Sequence, residues 1–498
     1  MASETPTLSI KLLIDQSSNV VLLAEAGSDF VNTLHSLLKL PLGNIARLAD
    51  KHEILQPGCL NNLYNSVQNL GSECFRTEEC KHMLICPRNV HAAAFKDSKL
   101  NMDLTGPTGY YICSNRNCKE QYAWFSYYDT RRCCCGNLMN LKPTKIFEAV
   151  VFEDLTGELL YKGKSTFFIT DELRVMEGLP GDLIQFLLNM GFENVSRIEE
   201  KVVEFGSKEM THLLIHSFFS KTTLTDVFLK KQGFGDSTPM LYDQLNFIAP
   251  VGKESAEKDG KTIVKMLLRK SDRKVLYAEA SENFVDLLFT FLTLPLESVL
   301  ELVLGSNANL TLGSISNLFR DLNTIFSVSK KTNSQKDVLP PFYSCPKEFP
   351  NIRSLVPPSG VYKKPLDPKS PMRSSNNSFG YVEKNLLFVV SDDLVVSHLS
   401  SVSSISLLKE TGISLGDVEQ KVISIGEVEV TTLLWASLGT SSPLSALLNS
   451  FAKIPKQEAG RQAGVKLLNG PGPPRHSWSQ PIRNSTLYFV LFETQHFL

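Results

Sequence analysis

The 498-residue sequence predicts an α+β protein, two similar domains in tandem with a small cysteine-rich insertion in the first. Three observations predict it. Long blocks occur twice in the same order, each block mixes a strand period with a helix period, and five of the ten cysteines crowd into residues 111–140.

The duplication is the strongest of the three. Residues 9–42, SIKLLIDQSSNVVLLAEAGSDFVNTLHSLLKLPL, return at 263–296 as IVKMLLRKSDRKVLYAEASENFVDLLFTFLTLPL, without a gap and with 15 of 34 positions identical. Lys11 matches Lys265, Glu25 matches Glu279, Phe30 matches Phe284 and Pro41 matches Pro295. A later pair, FFITDELRV (167–175) and FVVSDDLVV (388–396), is followed by EEKVVEFGSKEMTHLLIHS (199–217) and EQKVISIGEVEVTTLLWAS (419–437). Preserved block order means a tandem duplication of a large unit and not a short-period solenoid.

Each block has a local reading. IKLLID and VVLLAEA flank the polar QSSN, which predicts a hairpin, with RKSDRK in the same place in the second copy. Ser28 or Asp29 is placed to cap a helix whose face is Phe30, Leu34, Leu37 and Leu38, kept as Phe284, Leu288, Phe291 and Leu292. Pro41 and Pro295 end or kink those helices, because proline lacks the amide hydrogen and clashes with the preceding turn. The later block reads as a strand (FFIT, FVVS), a helix LPGDLIQFLLNMG stopped by glycine, and a longer helix from about Glu199 carrying the stripe Val203, Met210, Leu213, Leu214 and Phe218. Strands and helices without a regular βαβ alternation make each unit α+β.

The organisation follows: a first repeat domain at 1–228 with its insertion at about 105–145, a linker at 229–261, and a second repeat domain at 262–452. The Pro-, Ser- and Lys-rich stretch 331–379 is expected to be flexible, and 453–498 to be a disordered tail.

Bulk properties exclude several classes. An apolar fraction of 42% with 21% charged residues suits a folded chain too long for a single core. Fifty-one basic against fifty-two acidic residues give no overall field for a polyanion, so nucleic-acid binding needs a local patch. The N-terminus lacks the pattern of a secretory signal, and the richest apolar runs fall short of the roughly 20 residues of a membrane helix. The expected location is cytoplasmic or nuclear, with no membrane. Thiols stay reduced there, which favours metal binding or simple burial over disulfides.

Cys113 and Cys118 are spaced C-x4-C, and after fourteen intervening residues come Cys133, Cys134 and Cys135, followed by Gly136. Two thiol pairs on tight turns, joined by the hairpin-forming stretch EQYAWFSYY, are how a zinc ribbon gathers four thiolates into a tetrahedron. Adjacent residues of an extended segment point apart, so Cys133 and Cys135 are favoured for the second pair. Buried thiols without metal are the alternative. Four thiolates leave no open position for water, so a zinc ion here is structural and not catalytic. The second copy is shorter by about the span of this segment and offers there only Cys345. Cys74, Cys80 and Cys86, six apart, scatter around a helix axis and read as ordinary thiols.

No catalytic motif is present. GELLYKGKS has five residues between its glycines where a phosphate-binding loop has four, and a strand follows where that loop needs a helix. The paired acids Asp171–Glu172 and Asp392–Asp393 sit at turns, and Asp226 reads as a helix cap. The leading expectation is a non-enzymatic binding or scaffold protein with a protein partner and a structural zinc. A second reading is nucleic-acid binding by the insertion, through Arg116, Lys119, Arg131 and Arg132 interleaved with Tyr122, Trp124, Phe125 and Tyr127. A third is an enzyme with its site between the repeats.

With these blocks in view, the sequence resembles the plant family called domain of unknown function 674. The resemblance rests on LSIKLLID with VLLAEAGSDFV, CKHMLICPRN, YYICSNRNC with CCCGNLMN, FFITDELRV, and the EEKVVEFGSKEM segment running to LTDVFL. It covers nearly all of 8–229 and, through the second copy, extends to about 450; the tail after about 452 departs from the family pattern. Similar members pair C-x4-C with C-x-C-G, which implies Cys113, Cys118, Cys133 and Cys135 as the metal ligands. Cys134 stands where those members have no cysteine and leaves a spare, competing thiol. The resemblance brings no established activity.

Overall fold

The computed structural model describes residues 6–453 apart from 55–57, 104–109, 116, 119–123, 143–159, 162, 164, 193–194, 231–261, 305–311, 328–336, 341, 344–348, 350–351, 355–363, 371–379, 400–408 and 410–411. The first half contains β1 (Leu8–Asp15), β2 (Val20–Gly27), α1 (Ser28–Leu38), α2 (Leu42–Lys51), α3 (Leu60–Asn69), α4 (Glu78–Ile85), β3 (Trp124–Phe125), β4 (Thr166–Thr170), β5 (Val175–Glu177), α5 (Pro180–Asn189), β6 (Ile198–Phe205), α6 (Ser207–Ser217) and α7 (Thr223–Phe228). The second contains β7 (Thr262–Arg269), β8 (Val275–Ser281), α8 (Glu282–Thr293), α9 (Leu296–Leu304), α10 (Ile315–Ser327), β9 (Asp337–Leu339), β10 (Arg353–Ser354), β11 (Lys364–Pro365), β12 (Leu387–Ser391), β13 (Val396–His398), β14 (Val418–Ile425), α11 (Glu427–Gly439) and α12 (Pro443–Lys453).

Two five-stranded antiparallel sheets result, ordered β5-β4-β2-β1-β6 and β13-β12-β8-β7-β14. The register repeats in detail. Lys11 faces Glu25 and Lys265 faces Glu279, and both hairpins shift register at the equivalent place, Leu13/Ile14 and Leu267/Leu268. Asn19 and Arg273 occupy the same left-handed position of the turn, at φ 52° and 59°.

Two local readings are corrected. The segment from Glu199 is not helical: β6 pairs with β1 along its whole length, from Leu8 opposite Phe205 to Asp15 opposite Ile198, and the helix starts only at Ser207. β14 does the same beside β7. The free edge of β1 needs backbone partners, and that demand overrides the helical propensity of a Glu- and Lys-rich run. Gly206 marks the break, its amide donating to the Glu209 carboxylate at 3.0 Å, as Gly426 does to Glu429 at 2.8 Å. At α1 the N-cap is Gly27, and neither Ser28 nor Asp29 caps with its side chain.

From Phe30 onward helix α1 is buried on every side, Asn32, Thr33 and Ser36 together with its predicted face. One face lies toward the first sheet, and α9 and α10 of the second half cover the other, with His35 stacked 3.9 Å from Phe326. Thr33 and Ser36 are bonded locally, Thr33 Oγ1 donating to Asp29 O at 2.9 Å and Ser36 Oγ to Thr33 O at 2.7 Å, whereas Asn32 Nδ2 donates to Tyr161 O at 3.2 Å and its Oδ1 accepts from Tyr161 N at 2.7 Å.

The expectation that a chain of this length divides its core is corrected: among the described residues one main hydrophobic core runs through both halves, because the two halves exchange helices. Helix α3 of the first half docks on the β12–β13 turn of the second, where Asn62 Nδ2 donates to Asp393 O at 2.8 Å and Val396 N to Ser66 Oγ at 2.8 Å. Helix α10 returns the contact on the β4–β5 turn, where Asn317 Nδ2 donates to Glu172 O at 3.0 Å and Val175 N to Asp321 Oδ2 at 3.0 Å. The two prolines meet at the centre, where Leu42 N bonds Leu294 O and Leu296 N bonds Leu40 O, both at 2.9 Å.

One joint within the second half is titratable. The Asp286 carboxylate on α8 accepts the amides of Tyr381 at 2.8 Å and Val382 at 2.9 Å. Burial pushes its pKa up from 3.8 to about 7, against the pull of those two amides and of Arg76 and Lys369. A carboxyl with a raised folded-state value takes up a proton on folding, so its stabilisation is complete below about pH 4 and lost as pH rises to about 7. Unfolding free energy is expected to fall by roughly 2–4 kcal/mol across that window through this group. Asp286→Asn keeps the acceptor oxygen and removes the charge, so denaturant titrations at stepped pH should show the wild-type slope reduced in the variant; equal slopes would refute the assignment.

Candidate metal centre

The cysteine-rich insertion is held by short backbone pairings. Tyr111 and Ser126 exchange two hydrogen bonds of 2.8 Å, Ile112 pairs with Leu141, and Met139 N bonds Arg131 O at 2.8 Å. These bring two tight turns face to face. In the first, Asn115 N points at Cys113 Sγ, 3.4 Å away. The second closes with Cys133 N on Asn137 O and Gly136 N on Cys133 O, both 2.8 Å, and Gly136 sits at φ +84°, a conformation that glycine adopts without steric cost.

Cys113, Cys118, Cys133 and Cys135 come together, every sulfur within 4.8 Å of the others. Cys113–Cys135 are 3.4 Å apart and Cys118–Cys133 3.2 Å. A tetrahedral ion with bonds near 2.3 Å would set the sulfurs roughly 3.8 Å apart, so the cluster has the right size. Three of the four are buried and Cys135 is exposed. Burial pushes the thiols of Cys118 and Cys133 up, the latter to about 11, whereas the Asn137 amide holds Cys135 down to about 7. Buried thiols that resist ionising in isolation are what a dication converts to thiolates, since its charge offsets the desolvation. The donor set could hold a metal ion.

The fifth thiol is closer than alternation along a strand suggests. Cys134 is exposed, yet its sulfur lies 3.6 Å from Cys118 and 3.7 Å from Cys133, because the 133–136 segment is a turn and not an extended strand.

The cluster also touches the second half. Met139 is buried among the thiols, and Tyr111, Trp124 and Leu366 pack against them. Leu366 directly follows β11, which runs parallel to β3 with Lys364 opposite Trp124, and Leu366 N bonds Phe125 O at 2.9 Å. Farther along, Thr77 Oγ1 donates to Pro368 O at 2.7 Å and Arg131 Nη2 donates to Ser370 O. This clasp falls within 331–379, where composition offers no period to read; a parallel pair of two-residue strands so far apart in sequence leaves no local signal.

The residues of the nucleic-acid reading are placed as follows. Phe125 and Tyr127 are buried and pack with Tyr110 at centroid distances of 5.5–5.6 Å, and Trp124 is half-buried. Arg131 pairs with Glu79 and Arg132 Nη1 bonds Gly136 O at 3.0 Å. Arg116, Lys119 and Tyr122 lie outside the described residues. Cys74 and Cys80 are core thiols, and Cys86, half-buried, accepts from Arg47 Nη1 at 2.6 Å. The acids Asp171 and Asp392 anchor helices, Asp171 accepting Thr225 N and Asp392 accepting Ser445 N, each at 2.8 Å. Among the described residues no helix is long and apolar enough to cross a membrane.

Fold and site together define a mixed α+β protein with two antiparallel sheets and a cysteine cluster that could hold a metal ion. The chain belongs to the family described as protein of unknown function (DUF674), which it matches over residues 4–428. No curated protein and no solved structure matches it.

Proposed function

We propose that the protein is a non-enzymatic binding or scaffold protein, built from two homologous tandem repeats, in which a structural zinc held by Cys113, Cys118, Cys133 and Cys135 fastens the zinc-ribbon-like insertion. The observation that carries this reading is the position of the thiols. They form a small core of their own in the seam where Leu366 of the second half packs on the insertion, a place for an ion that holds structure and not one that meets substrate. The matched strand order, register and reciprocal helix contacts support the repeat reading.

Two further observations support a binding role. Asp171, Asp286 and Asp392, whose carboxyls burial pushes up, are each engaged in backbone hydrogen bonds, which is structural work. The outer side of α5 exposes Ile184 and Leu188, flanked by Leu179 and Met190, and apolar surface of this kind commonly meets another protein.

Elemental analysis of the purified protein should find about one zinc per chain, and Cys113→Ser should reduce this to about a tenth. Wild-type protein without metal, or full loading in Cys113→Ser, would refute the zinc assignment.

A further inference from the structure

We propose that Cys134 is an oxidation-sensitive thiol that releases the metal by capturing Cys118 in a disulfide. The inference rests on the zinc reading above and deepens it. A tetrahedral ion takes four thiolates, and five sulfurs are present. The sulfur outside the set of four belongs to an exposed residue, within reach of a small oxidant, whereas Cys113, Cys118 and Cys133 are buried.

The chemistry is a two-electron oxidation by a peroxide, of which hydrogen peroxide is the simplest. The Cys134 sulfur attacks one peroxide oxygen, the O–O bond breaks, and Cys134 becomes a sulfenic acid with loss of one water. The Cys118 sulfur, 3.6 Å away, then attacks the oxidised sulfur. The S–S bond forms, the S–O bond breaks, hydroxide leaves and takes a proton from solvent, and the Cys118 sulfur would no longer be available to hold an ion. Overall one thiol, one thiolate, one proton from solvent and one peroxide give one disulfide and two waters, and three of the four sulfurs are left to hold the ion.

Geometry selects Cys118 over Cys133, although Cys133 is nearly as close at 3.7 Å. Adjacent residues have Cα atoms about 3.8 Å apart, below the roughly 4.4–6.8 Å that disulfides span. Cys118 and Cys134, with fifteen residues between them in sequence, lie on facing turns and carry no such restriction.

The test compares full-length wild type with Cys134→Ser, both loaded with zinc, in hydrogen peroxide with a chromogenic chelator. The two should hold equal zinc before oxidant, and the wild type should then release it about tenfold faster or more, with peptide mapping locating a Cys118–Cys134 disulfide. Equal loading with equal release rates, or a disulfide confined to other cysteines, would overturn the inference and leave the zinc reading standing. Loss of zinc in unoxidised Cys134→Ser would make Cys134 a ligand and overturn it too. A wild type that binds no zinc would overturn both.

Discussion

Gly313→Ala should destabilise the protein by about 3 kcal/mol or more, and Gly58→Ala by a similar amount. The two glycines occupy equivalent places just before the exchanged helices α10 and α3, and both sit at positive φ, +46° and +76°. A Cβ on Gly313 would meet Ser217 O at 2.4 Å, and one on Gly58 would meet Ser437 O at 2.4 Å. Those oxygens are backbone at the ends of buried helices α6 and α11, so neither can step aside as a flexible side chain would. Gly191 is the control: its φ is +81° but nothing lies within 4 Å of a new Cβ, so Gly191→Ala should show only the backbone cost of about 1 kcal/mol. Urea midpoints of the three variants separate close packing from dihedral strain. Gly313→Ala no worse than Gly191→Ala would mean the halves are not joined this closely.

Lys39→Met is the second large expectation. Lys39 and Glu297 pair across the meeting point of the prolines, with side chains only 4% and 13% exposed. Removing one member leaves the other charge in a dry site, so the single variant should lose about 3 kcal/mol or more. Replacing both residues, Lys39→Met with Glu297→Leu, removes the desolvation problem together with the attraction and should recover most of that loss. Guanidinium unfolding of both variants reads the difference. A double variant as unstable as the single one would show that the site needs the ion pair itself.

Much of the cysteine cluster is legible because tight turns are local. Two thiol pairs around short turns, the second closed by Gly136, fix which sulfurs can converge whatever the rest of the chain does. The clasp was not legible. Leu366 reaches the thiols through a two-residue parallel pairing with β3, and no period or spacing marks such a strand. Alternation of side chains holds along a strand and fails inside a turn, so it gives no sign that the Cys134 sulfur lies 3.6 Å from Cys118.

The sequence by itself determined the paired blocks, the hairpins, the apolar faces of the first helices and the cysteines able to gather. Only the tertiary structure decided that 198–205 is a strand, that α3 and α10 each leave their own half, and that one core serves both. The physical reason is range. Helical and strand periods are set by neighbours a few residues apart, whereas a strand edge or a helix face is claimed by whichever complementary surface the chain brings to it. In a chain with two sheets of the same strand order, two nearly equivalent surfaces compete, and connection lengths and packing choose between them.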